Sequence, residues 1–103
     1  MSAPAKITVR PPQGLPPELL ERYLGRCRNE IPRLAAAIEQ GDYKSVRVTG
    51  HNMKGTGRAY GFPELTETGA LIEAAAAAEC AAELREHVAR LAEYFANVEI
   101  ARD

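Results

Sequence analysis

One histidine, His51, lies among basic residues and four glycines in the segment GHNMKGTGRAYG, residues 50–61. A neutral imidazole is a nucleophile near pH 7, because its unperturbed pKa is about 6.5. Neighbouring cations disfavour the charged imidazolium, and they stabilise the negative charge of a phosphoryl group that approaches the ring. The residue types in this segment therefore indicate a site that could accept a phosphoryl group and pass it on.

The basic residues around His51 share one face if the segment is a helix, in which successive residues are about 100° apart. Each lies within about 60° of His51 on the helical projection. They are Lys44, Arg47, Lys54 and Arg58. The opposite face can enter a core, and it contains Val46, Thr49, Met53 and Tyr60. A helix therefore separates basic from buried residues, whereas a strand does not.

The glycines of this segment have separate explanations in a helix. Gly55 lies one turn after His51 on the exposed face, where the missing side chain would leave the imidazole open to an approaching protein. Gly50 and Gly57 lie at the flank of the buried face, where they would allow close packing against Gly69 or the alanine-rich helix. Interior glycines cost about 1 kcal/mol each relative to alanine, so something other than helix stability favours them.

A phosphate-binding loop is the alternative interpretation of the same glycines. Gly50 and Gly55 have the G-x-x-x-x-G spacing of a P-loop, and residues 46–48 could be the strand that precedes it. A P-loop needs lysine directly after the second glycine, but Thr56 stands there and Lys54 precedes the glycine. No second βαβ unit is visible, so the sequence favours the helix.

A long helix is predicted before this segment, since apolar residues recur at spacings of four and three. They are Leu20, Leu24, Cys27, Ile31, Leu34 and Ile38. Pro32 costs about 3 kcal/mol in a helix interior, but the apolar phase continues across it, so we expect one kinked or rejoined helix. Gly41, in the left-handed conformation, and Asp42, as an N-cap, should separate this helix from the next.

Two further helices are predicted after residue 61. Gly61 can end one helix and Pro63 can begin the next, which continues through the alanine-rich run EAAAAAEC. The last predicted helix is ELREHVARLAEYFANVEI, and its seam contains Leu84, Val88, Leu91, Phe95 and Val98. Pro16 and Pro17 are suitable first-turn residues for the first helix.

These elements predict an all-α fold, an antiparallel up-down four-helix bundle of residues 16–103. An extended, proline-rich N-terminal arm of residues 1–15 precedes it, because prolines exclude a helix there. Ile7 and Val9 alternate with polar neighbours, so we expect part of the arm to lie along the core as a strand-like tether. A complete four-helix core favours a monomer.

Composition limits the class of protein. A length of 103 residues with 46% apolar content fits one modest core and argues against a two-domain enzyme. The basic stripe is short and the chain has no Trp, which argues against nucleic-acid binding. Cys27 and Cys80 lie in predicted helices, so we expect two buried free thiols in a reducing compartment. No apolar stretch reaches the length of about 18 residues that a membrane span needs, and we expect a cytoplasmic protein without a membrane partner.

The segment around His51 resembles the histidine-containing phosphotransfer (HPt) domains of two-component phosphorelays. The family motif is H-x-[LM]-K-G followed by a glycine, a leucine and an apolar-Glu pair. The matching positions are His51, Met53, Lys54, Gly55, Gly61, Leu65, Ile72 and Glu73. Met53 and Ile72 stand where leucine is commoner, and both are mild core substitutions. The resemblance covers residues 18–98.

The resemblance implies that His51 accepts a phosphoryl group from the aspartyl phosphate of a receiver domain and passes it to another receiver. Lys54 would contact the phosphoryl oxygens and Gly55 would admit the receiver. Further partner contacts are expected from Arg47, Arg58 and Lys44. Nε2 is the expected acceptor atom because it is the more exposed ring nitrogen.

The resemblance also implies what the partners supply. Response-regulator receiver domains, and a hybrid histidine kinase, would be the partners. Mg²⁺ and the acidic pocket would belong to the receiver, so the chain would be a phosphoryl carrier without catalytic machinery, cofactor or metal of its own. The sequence shows no pair of carboxylates near His51 that would hold a metal.

Two other hypotheses remain open at this point. An adaptor bundle would bind protein partners without carrying phosphate, and its binding would not change in His51→Gln. A nucleic-acid-binding bundle would use the basic stripe and show strongly salt-dependent affinity.

The remaining candidate residues are expected to have structural roles. His87 precedes the seam position Val88 without a basic stripe around it, so we expect it to be structural or idle. Glu73 is expected to serve packing or capping rather than chemistry. A zinc site of His51 and His87 would lack further ligands at suitable spacing.

Overall fold

Four helices and a pair of short strands make up residues 6–101, the part of the chain that the computed structural model describes. In chain order the elements are β1 (Ile7–Val9), α1 (Pro17–Glu39), α2 (Tyr43–Thr56), a 3₁₀ turn (Arg58–Tyr60), α3 (Pro63–Ala77), α4 (Ala81–Asn97) and β2 (Val98–Ile100). The helices α1 and α3 each pack against both α2 and α4. The all-α four-helix bundle is therefore confirmed.

The predicted seams form the core of the bundle. Its fully buried large side chains come from all four helices and from the residue before α3, and they are Leu20, Leu34, Val46, Phe62, Leu65, Ile72, Leu84, Leu91 and Phe95. Each seam residue that is removed from water contributes about 1.5–3 kcal/mol. Ile31, also on the α1 seam, is only half-buried. Burial of one face per helix holds α2 and α3 side by side.

The helix boundaries before and after α2 and α3 follow the local chemistry. Gly41 has a φ of 70° and Gly61 a φ of 89°, both in the left-handed region that glycine adopts without strain. Asp42 is the N-cap of α2, and its carboxylate accepts the Ser45 amide at 3.3 Å. Pro32 lies inside a single helix, α1, as predicted.

The predicted end of the last helix is wrong. The helix α4 ends at Asn97, and Val98–Ile100 form β2, which pairs in parallel with β1. The Arg28 guanidinium donates hydrogen bonds to the carbonyl oxygens of Phe95 and Val98 at 2.9 and 3.5 Å. These bonds satisfy carbonyl groups at the helix end, and Val98 stays buried while its backbone is extended.

The N-terminal arm is described only in part. Ile7 and Val9 form β1, so the expected strand-like tether is present, whereas residues 1–5 lie outside the described residues. The division into an arm of residues 1–15 and a bundle of 16–103 stays a prediction. No helix within residues 6–101 is long and apolar enough to cross a membrane.

One expectation about the cysteines is also corrected. Cys27 is a buried free thiol in α1, and burial raises its pKa. Cys80 is free but only half-buried, because it is the N-cap residue of α4 rather than a residue of a helix interior.

Candidate functional site

His51 lies in the middle of α2 with 65% of its side chain exposed. Its Nδ1 atom is 2.8 Å from Oε2 of Glu73, which is on α3. The same carboxylate contacts Lys54, since Oε1 of Glu73 is 2.9 Å from the lysine Nζ. One glutamate therefore connects the histidine and the lysine of the sequence motif.

Glycines hold α2 and α3 close enough for this contact. A Cβ atom at Gly50 would lie 2.8 Å from the Glu73 amide nitrogen and 2.9 Å from the Gly69 carbonyl oxygen. A Cβ atom at Gly69 would lie 2.6 Å from the Lys54 amide nitrogen. Real Cβ contacts of this length do not occur, so the two backbones can meet only where both residues lack a side chain. The predicted close packing of Gly50 against Gly69 is thus observed.

Glu73 is the site residue whose role the sequence did not predict. We expected packing or capping, but its carboxylate contacts both His51 and Lys54, the two residues that the sequence predicts for the phosphoryl group. The hydrogen bond from the Lys54 ammonium is the main reason that the pKa of Glu73 lies below its ordinary value, and the hydrogen bond from His51 lowers this pKa further. Glu73 is therefore ionised at neutral pH and can only accept hydrogen bonds.

The tautomer of His51 follows from this partner. A carboxylate that faces Nδ1 assigns the ring proton to that nitrogen, because Nδ1–H donates and the carboxylate accepts. In the neutral ring Nε2 then has the free electron pair. The arrangement can therefore present a nucleophilic nitrogen to a group that approaches from solvent.

Gly55 is open to solvent, one turn after His51 on the same helix. A Cβ atom at this position would meet nothing within 4 Å. Val48, one turn before His51, is also on the surface and is 48% exposed. The sequence offered a signal for Val48, since it is an apolar residue on the basic face, but we did not single it out.

The four predicted basic residues are all exposed, but they do not all lie on one helix. Lys44, Arg47 and Lys54 belong to α2, which ends at Thr56. The prediction that Arg58 continues this helix is wrong, because Arg58 begins the 3₁₀ turn. Its amide donates to the Thr66 hydroxyl of α3 at 2.7 Å, and this tertiary contact replaces a helical hydrogen bond.

Side chains of α1, α2 and the 3₁₀ turn form a cluster at the C-terminal end of α2. The Tyr23 hydroxyl donates to Oγ1 of Thr56 at 2.8 Å, and Thr56 in turn donates to the Asn52 carbonyl oxygen at 2.9 Å. The Tyr60 ring stacks on Tyr23 with centroids 4.0 Å apart. Burial raises the pKa of Tyr23 well above its ordinary value, so the phenol stays protonated and can donate.

His87 does not join the site, because it lies on α4 whereas His51 and Glu73 belong to α2 and α3. Its Nδ1 atom is buried without a hydrogen-bond partner in the described structure. Within residues 6–101 no three His, Cys, Asp or Glu side chains cluster in a way that could hold a metal ion.

Replacement of Glu73 by alanine should change the tautomer of His51. We expect ¹⁵N NMR near pH 8 to show the Nδ1–H form in the parent protein and a mixture of tautomers in Glu73→Ala, because the carboxylate acceptor is gone. The His87 resonances are the internal control and should not move. A parent protein that shows the Nε2–H form would contradict the assignment.

The acidity of Glu73 also predicts a pH dependence. Its pKa is lowered in the folded protein, so its contacts stabilise the fold above the pKa of the unfolded chain and are lost as pH falls through the folded value. We expect Glu73→Gln to be less stable than the parent at neutral pH, and we expect the difference to disappear at acidic pH, once the glutamate of the parent is protonated. Urea unfolding of the two proteins across this pH range would measure the difference.

Comparison with protein families agrees with the four-helix fold. The Hpt domain model matches residues 18–99. Comparison with curated proteins and with solved structures gave no match. Hpt domains carry phosphoryl groups in two-component phosphorelays, where they interact with receiver domains and kinases. Since the match spans all four helices and includes His51, the chain belongs to the Hpt domain family.

Proposed function

We propose that this chain accepts a phosphoryl group on Nε2 of His51 from the aspartyl phosphate of one receiver domain and passes it to another receiver. The observation that carries the proposal is the contact between His51 Nδ1 and Glu73, which leaves Nε2 on an exposed helix face. Membership of the Hpt family supports the reaction class.

The transfer is a displacement at phosphorus. The electron pair of Nε2 forms the new N–P bond, the P–O bond of the aspartyl phosphate breaks, and the receiver carboxylate leaves with the bonding electrons. The proton on Nδ1 stays on the ring, which becomes positively charged. The Glu73 carboxylate at 2.8 Å offsets this charge, and the same steps in reverse return the phosphoryl group.

The basic residues would contact the phosphoryl group and the partner protein. Lys54 is next to Glu73 and can turn its ammonium toward the phosphoryl oxygens once these arrive. Lys44, Arg47 and Arg58 would face the acidic surroundings of the receiver site and speed association. Val48 would provide an apolar contact beside His51.

We propose that the chain acts as a carrier and not as an enzyme. The Mg²⁺ ion that neutralises the transferring group would come with the receiver, and a hybrid histidine kinase would provide the first receiver. A monomer in the cytoplasm fits this role, and the free thiols Cys27 and Cys80 fit a reducing compartment.

The experiment that tests the proposal is transfer of labelled phosphate from a panel of phosphorylated receiver domains to the full chain. We expect acid-labile label on the chain, and tandem mass spectrometry should locate it on His51. Return of the label to a second, unphosphorylated receiver would establish the carrier role. Acid-stable label would indicate a hydroxyl acceptor and contradict the proposal.

A leucine at position 55 should block transfer and leave the fold intact. The space beyond Gly55 is open, so Gly55→Leu causes no clash within the chain, and it raises helix propensity by roughly 0.8 kcal/mol. The new side chain would stand one turn from His51, where the receiver must approach. We expect the transfer rate to fall more than about 100-fold, equivalent to ~2.7 kcal/mol.

Gly25→Leu is the matched control for this variant. Gly25 is also an interior helical glycine with nothing within 4 Å of its Cβ position, but it lies on the face of α1 that points away from α2. Transfer should be normal in Gly25→Leu. Equal rates in Gly55→Leu and the parent would place the receiver on another surface.

A further inference from the structure

The N-terminal strand β1 has an open edge. In its parallel pairing with β2, the Ala101 amide donates to the Val9 carbonyl oxygen at 2.9 Å, so the backbone groups of Val9 face β2. Backbone groups of successive strand residues point to opposite edges, and those of Thr8 therefore point away from β2. No third strand pairs with β1 in residues 6–101.

A groove of about 560 Å³ runs along this edge. The strand forms one wall, and Pro63, Glu64 and Glu67 at the start of α3 form the other. A neighbouring cavity of about 270 Å³ shares Ile7, Glu64 and Tyr94 with the groove, so the two are continuous. Because the groove is lined by three successive residues of β1, an extended segment that paired with the open edge would lie in it.

Carboxylates outnumber cations in the groove by three to two. Glu64, Glu67 and Glu93 line it, and none of them has an ion-pair partner in the part of the chain that is described. Burial raises the pKa of Tyr94, and the nearby charge of Glu64 raises it further. The cations along the groove are Arg90 and Arg10, and Arg10 already interacts within the chain.

We propose that the open edge of β1 binds a basic, extended segment of a partner protein by strand addition. The Thr8 amide and carbonyl would hydrogen-bond the added strand, and the carboxylates of the groove would pair with its Lys or Arg side chains. Ile7, which is 37% exposed, would provide an apolar contact. This binding site does not depend on phosphotransfer at His51.

A second copy of this chain fits the edge less well. Two copies of β1 would pair antiparallel about Thr8, which would place Lys6 of each copy opposite Arg10 of the other. Like charges directly opposite in a strand pair are destabilising. The charge pattern therefore favours a basic partner segment over the strand's own copy.

Selection from a phage-displayed library of random heptapeptides against the full chain tests the proposal. We expect the selected peptides to combine Lys or Arg with β-branched residues. A synthetic selected peptide should bind Thr8→Pro about tenfold more weakly than the parent, because proline removes the outward amide but no hydrogen bond to β2. Circular dichroism should show that the variant stays folded.

The charge contribution has its own matched control. We expect Glu64→Gln/Glu67→Gln to lower the affinity of the chain for the peptide about tenfold at low salt and less at high salt. Glu83→Gln/Glu86→Gln changes two exposed glutamates at the same spacing near the start of α4, outside the groove, and should bind normally.

Three results would overturn the proposal. The first is a selection that yields no binder, or only binders without basic residues. The second is unchanged affinity of the selected peptide for both Thr8→Pro and Glu64→Gln/Glu67→Gln. The third is a dimer of the parent protein that Thr8→Pro dissociates. The last result would assign the edge to a second copy of the chain.

Discussion

A His51→Gln protein is expected to take no phosphoryl label from any receiver that labels the parent protein. Glutamine keeps a polar side chain on the exposed face of α2 and has good helix propensity, so the bundle should fold normally. The amide nitrogen of glutamine has no free electron pair that can attack phosphorus, because it is conjugated with the carbonyl. The loss should therefore be complete, and it reports on chemistry rather than on stability.

His87→Gln is the matched control, since it removes the other histidine of the chain. His87 is half-buried on α4, away from the α2–α3 site, and its Nδ1 has no hydrogen-bond partner in the described structure. We expect normal labelling of His87→Gln. Label that persists in His51→Gln and disappears in His87→Gln would reverse the assignment of the acceptor.

The experiment also separates a carrier from an adaptor. An adaptor would bind a receiver equally well as parent and as His51→Gln, and it would take no label from a complete panel of receivers. Binding without labelling would therefore favour the adaptor. Labelling without stable binding is the result that a carrier predicts, because the complex must dissociate for the phosphoryl group to move on.

The four-helix bundle could be predicted from the sequence because the residue pattern that specifies each helix is local in the chain. Spacings of four and three place one apolar stripe on each helix, and a stripe can be buried only against other helices. The breaks at Gly41 and Gly61 were predictable for the same reason, since a left-handed residue there ends a helix whatever lies around it.

The strand pair could not be predicted in this way. β1 and β2 are at opposite ends of the chain, and Val98 fits either the seam of α4 or a buried strand position. Periodicity cannot distinguish these, because the outcome depends on the N-terminal arm being present beside residue 98. The early end of α2 has a similar cause, since the Thr66 hydroxyl that accepts the Arg58 amide belongs to α3.

The site was predictable on α2 but not across to α3. His51, Lys54 and Gly55 share one helix, so their spacing alone places them on one face. Glu73 is 22 residues from His51, and its role depends on the angle and distance at which two helices pack. The glycines that set this distance were visible in the sequence, but their pairing was not.

A methyl group at position 69 is expected to destabilise the protein by about 3 kcal/mol, although alanine is the better helix former. The added Cβ would lie 2.6 Å from the Lys54 amide nitrogen and 2.8 Å from the Gly50 carbonyl oxygen. Both neighbours are backbone atoms, so only separation of α2 and α3 relieves the clash. A domain of this size has about 5–15 kcal/mol of stability in total, so Gly69→Ala should unfold at much lower urea concentration.

Gly55→Ala gives the comparison that isolates this effect. It makes the same chemical change in the partner helix, but its Cβ would meet open space, so we expect a gain of up to about 1 kcal/mol. Because separation of the helices also moves Glu73 away from His51, Gly69→Ala should lose the Nδ1–H preference, whereas Gly55→Ala should keep it. Equal stability of Gly69→Ala and the parent would mean that the backbones of α2 and α3 are not in close contact at Gly69. The position of Glu73 beside His51 would then need another explanation.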